Sequence, residues 1–122
     1  METFSNYISN AFCLTNFLSG IIYIITGLIL LKFPPKKINH LYGYRTARSM
    51  KSQKHWDYAQ RISAKKIILY GCLFIFLSFA GFFIPLNNKY LALLAIGSVI
   101  VLSVIYILDV EGALKKKFPE ED

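Results

Sequence analysis

Residues 11–31, AFCLTNFLSGIIYIITGLILL, carry no charged side chain. At about 1.5 Å of rise per residue such a run makes a helix of roughly 30 Å, the thickness of the hydrocarbon core of a bilayer. Pro34-Pro35 closes it, because proline lacks a backbone donor and disfavours helical geometry at the residue before it. Two more charge-free runs follow, residues 67–86, ending near Ile84-Pro85, and residues 90–108, after which Asp109 and Glu111 mark the exit. Between them Asn87-Asn88-Lys89 reads as a tight polar turn. The expected fold is an all-α membrane protein with three transmembrane helices at about 11–33, 67–86 and 90–109. Residues 1–122 form one domain, with neither an internal repeat nor a linker long enough to divide it.

Charge orients the bundle. Of the fourteen Lys and Arg residues, ten lie within residues 32–66 and three are Lys115, Lys116 and Lys117. The start of the chain has none and the 87–90 turn has only Lys89. Excess Lys and Arg mark cytoplasmic connections. The expectation is therefore a multi-pass membrane protein, N-terminus outside and C-terminus inside. Residues 1–10 also lack the basic start of a signal peptide. A net charge of +7 pinned to the ends of apolar runs suits anionic lipid head groups and not nucleic acid. Cys13 and Cys72 lie inside apolar runs and read as small buried hydrophobes with no disulfide framework.

Helices in lipid meet through small and polar residues. Asn16, Gly20, Tyr23 and Gly27 follow one another at i, i+4, i+7 and i+11, a continuous stripe on the first helix. Gly71, Ser78 and Gly81 share a face of the second, and Ala92, Ala95, Leu102, Tyr106 and Asp109 line up on the third. These stripes read as packing seams. The alternative is a polar path lined by Asn16, Tyr23 and Tyr106.

The only long polar run, residues 38–61, INHLYGYRTARSMKSQKHWDYAQR, holds the single Trp. Asn39 suits a turn, since its side chain can bond nearby backbone, and Gly43 permits a positive φ that neither Tyr42 nor Tyr44 would tolerate. Ser49 or Ser52 can cap a helix at about 50–66. With Trp56 and Ala59 on one side and bases on the other, that helix reads as interfacial. No Gly or Pro separates it from the second span, so it is free to run on into it. Arg45, Arg48, Lys51 and Lys54 read as bases that hold the cytoplasmic side and touch lipid phosphates; the more specific reading is that Arg45, in its Tyr-Gly-Tyr setting, makes two-point contact with a carboxylate or phosphate. Asp109, arriving at the same membrane face, is the expected internal acceptor, an Arg45–Asp109 clamp. His40 and His55 stand apart from clustered Cys or acids, and neither a nucleophile elbow nor a phosphate loop is present. The reading is not an enzyme, with no metal and no cofactor.

Residues 34–39 (PPKKIN), 42–46 (YGYRT), 49–52 (SMKS) and 56–60 (WDYAQ) together resemble the signature of the SdpI family of bacterial integral membrane proteins. The motif segment spans 34–66. The resemblance carries over Asn39, Gly43, Arg45, Thr46, Ser49, Trp56 and Ala59 as contacts for a partner or lipid. It implies a multi-pass protein of the bacterial inner membrane, with immunity to an antimicrobial peptide or signalling of its presence to a cytoplasmic regulator. A subunit of an oligomeric transporter or channel is the alternative, because three helices are too few to enclose a wide pathway alone.

Overall fold

The computed structural model describes residues 2–119. Four helices follow in order: α1 (Glu2–Ser9), α2 (Ala11–Lys32), α3 (Gln53–Gly81) and α4 (Asn88–Lys117). The last three are each long and apolar enough to cross a membrane. Each begins on a side-chain cap. Asn10, Ser52 and Asn87 accept from the backbone N–H of Cys13, His55 and Tyr90, satisfying donors that a helix start leaves open.

The expected interfacial helix and second span are one continuous helix. α3 starts at Gln53 and runs through the charged residues into the apolar half, as the lack of a breaker allows. It ends at Gly81, short of 86, because Pro85 disfavours helical geometry at Ile84 and the chain turns through residues 82–87. α4 outlasts its expected end at 109 by eight residues, carried on by Val110 and Leu114, which are fully buried.

The antiparallel pair α2–α3 is the tightest contact. A Cβ on Gly20 would lie 2.7 Å from the carbonyl oxygen of Gly71, and one on Gly27 would lie 2.8 Å from that of Ala64. Two backbones touching at points seven residues apart need residues this small. α4 closes the third side through polar clasps. The Ser98 hydroxyl donates to Asn16 Oδ1 at 3.2 Å, and Tyr23 and Ser103 share a hydrogen bond between their hydroxyls. The seam residues Asn16, Gly20, Gly27, Gly71 and Tyr106 are all buried. Outward faces are apolar instead, with Leu18, Ile22, Phe76, Leu93, Ile96 and Leu108 exposed. Cys13 is buried, but Cys72 faces out from the bundle, so only one of the two thiols lies in the core.

Candidate docking surface at the loop end

Residues 33–52, which join α2 to α3, fold into a fixed cap. It begins at the end of α2, where the Tyr42 hydroxyl donates to the Phe33 carbonyl at 2.6 Å. Asn39 forms the turn: its Oδ1 accepts from the N–H groups of Leu41 and Tyr42 at 2.9 and 2.8 Å, and its Nδ2 donates to the Lys37 carbonyl. Gly43 then adopts φ +109°, with Gln60 Oε1 only 2.5 Å from where a Cβ would sit. Any side chain there would be strained and would strike the group that holds the next residue.

That group is the centre of the cap. Gln60, 2% exposed, accepts from the Tyr44 N–H at 2.7 Å and donates to the Tyr44 carbonyl at 2.8 Å. A side-chain amide thus pairs with the loop backbone as a neighbouring strand would, satisfying a buried donor and acceptor together. Ser49 makes the following turn. Its hydroxyl accepts from the Thr46 N–H at 2.8 Å and lies 3.2 and 3.0 Å from the carbonyls of Tyr44 and Thr46. Trp56 is fully buried and its Nε1 donates to the Pro35 carbonyl at 2.7 Å. The expected interfacial role for Trp56 gives way to a structural one: the indole is the floor on which the Pro-Pro corner rests. Ala59 is also fully buried, in a cluster with Tyr44, Tyr106, Val110 and Leu114.

Glu111 fastens the cap to α4. Its carboxylate accepts from the Tyr44 hydroxyl at 2.9 Å and from the Thr46 hydroxyl at 3.0 Å, and Arg48 Nη1 lies 3.4 Å away. Burial, then the Glu111 carboxylate, pushes the Tyr44 hydroxyl well above its ordinary range, so it remains a donor. The expected Arg45–Asp109 clamp does not form. Asp109 takes Lys66 at 3.0 Å and the Tyr70 hydroxyl at 2.9 Å, both from α3. Asp109 and Glu111 are about 200° apart around α4, so one faces α3 and the other the loop. Arg45 is exposed and has no ion-pair partner among the described residues.

Of the seven motif residues, Ser49, Trp56 and Ala59 are core, Asn39, Gly43 and Thr46 set the loop's shape, and Arg45 alone projects outward. Gln60 and Glu111, which do most to hold the loop, escaped the sequence reading. Only the position of Gln60 on the Trp56–Ala59 side of a helix hinted at burial.

The SdpI/YfhL protein family profile matches residues 36–108, from the start of the cap through most of α4. The chain belongs to the SdpI/YfhL family. It is 48% identical over 58 residues to an uncharacterized protein, YfhL, of Bacillus subtilis (strain 168), a match covering 48% of this chain and 53% of that one. The chain thus spans about half the length of the curated relative it matches. No solved structure matches it.

Proposed function

We propose that this SdpI/YfhL-family protein sits in a bacterial inner membrane and gives immunity to a membrane-active antimicrobial peptide, or signals its presence. It acts by binding a partner and not by turning over a substrate. The positive-inside rule favours the loop cap and the C-terminus in the cytoplasm and the 82–87 turn outside. The observation that supports docking is the cap itself: a loop held rigid from beneath by Gln60 and Glu111 leaves Arg45 exposed, and Leu41 of the same loop is 91% exposed. A pre-ordered surface with one apolar and one guanidinium contact suits partner recognition, since little ordering remains to be done on binding. The channel reading needs Asn16, Tyr23 and Tyr106 to line a lumen, yet all three have polar partners within the bundle.

Survival of cells with and without the gene, challenged by a panel of secreted antimicrobial peptides, tests this. Protection is expected with the parent protein and lost with Arg45→Ala, which should accumulate and unfold like the parent because the side chain is exposed. Equal survival across the panel would sink the proposal.

A further inference from the structure

A second basic site lies between α2 and α3, in a cleft that Arg45 does not line. Leu30, Leu31, Pro34 and Pro35 form the apolar part of a cleft of about 380 Å³, and Lys36, Asp57, Gln60, Arg61 and Lys65 form the polar part. That volume falls within the range of small-molecule sites. The three bases have no ion-pair partner among the described residues. Asp57, the acid in the cleft, accepts from Gln53 Nε2 at 2.8 Å. Three positive groups against one carboxylate leave the cleft short of negative charge.

Its depth is the second observation. The register that sets Gly20 on Gly71 and Gly27 on Ala64 brings Arg61 level with Leu30 and Lys65 level with Thr26. Both bases therefore stand beside the apolar part of α2, below Lys32, where that helix first carries charge. Cations at this depth reach upward to the head-group layer along their own apolar stems. Arg61 and Lys65, one turn apart on α3, converge there with Lys36, fixed just beyond the Pro-Pro corner that Trp56 holds.

We propose that this cleft seats one anionic phospholipid. Its phosphate is held by Lys36, Arg61 and Lys65, and an acyl chain lies along Leu30 and Leu31. Apolar wall and cationic rim meet at the depth where a phosphate joins its acyl chains, which selects a lipid over a free anion. The site depends on the chain crossing a membrane and not on its role toward peptides, so it stands or falls apart from the immunity reading.

Full-length protein in neutral detergent, offered phosphatidylglycerol, phosphatidylcholine or inorganic phosphate and read by native mass spectrometry, provides the test. One phosphatidylglycerol should be retained, and neither of the others. At roughly fivefold per basic group near an anionic surface, K36Q/R61Q/K65Q should lower retention on the order of a hundredfold. K115Q/K116Q/K117Q, with the same change in net charge, should leave it unaltered, and K36R/R61K/K65R should keep it. Lys36→Glu alone, on the connection and outside both helices, should weaken retention even if the triple variant folds poorly. Equal loss in the two glutamine variants, undiminished retention in Lys36→Glu, or displacement of the lipid by inorganic phosphate would overturn the proposal.

Discussion

The two ends of this bundle are held by different physics. At the loop end, specific hydrogen bonds fix a long connection. Gln60 pairs with both backbone groups of Tyr44, and Glu111 collects two hydroxyls and a guanidinium. At the turn end the connection is only residues 82–87, and aromatic contact takes over. Tyr7 packs against Phe17 and Phe79, and Phe12 fills the space opposite Gly81. An open apolar trough of about 790 Å³, lined by Phe4, Tyr7, Phe17, Phe79, Phe82 and Phe83, remains on that side. Polar contacts between elements there are few: Tyr7 to Ser78 at 2.7 Å, the Ala11 N–H to Asn88 Oδ1 at 2.8 Å, and a long one from Asn10 Nδ2 to the Gly81 carbonyl at 3.5 Å. A long loop must satisfy its backbone or unfold, whereas a short turn satisfies most of its own.

The contrast predicts unequal damage. Gln60→Leu should be worst, leaving a buried N–H and a buried C=O unpaired at a combined loss of about 4 kcal/mol. Thermal unfolding in detergent would show it, with protease cleavage confined to residues 33–52; a loss below about 1 kcal/mol would mean that the amide pairing is incidental. Glu111→Gln should lose about 1–2 kcal/mol, because the amide still accepts a hydrogen bond but no longer attracts Arg48. Combining it with Arg48→Ala should add less than the sum of the two single losses; strict additivity would detach Arg48 from the cap. Tyr7→Phe should lose about 1 kcal/mol or less and loosen α1 while leaving the loop end untouched. Hydrogen exchange measured separately for α1 and for residues 33–52 would check that independence.

Much of the fold was legible because each span is a long run without charge and each seam repeats at helical spacing. The stripe Asn16, Gly20, Tyr23, Gly27 names the faces that meet. The eight residues of α1 were not legible, since so short a helix depends on docking through Tyr7 and not on its own propensity. The loop's partners were obscure for a different reason. Periodicity assigns a residue to a helix face but does not say which neighbour that face meets. Spacing therefore points to Asp109 as the loop's acceptor, although Lys66 and Tyr70 occupy it and the loop meets Glu111. Likewise a Trp above a membrane run reads as an anchor until the chain is seen to fold back over it.

The lone indole also makes the protein its own optical probe. Because Trp56 is the only tryptophan and lies sealed beneath Pro35, its emission colour reports whether the corner is seated. A shift to longer wavelength while far-ultraviolet ellipticity holds would signal the connection lifting away from intact helices, without any attached dye.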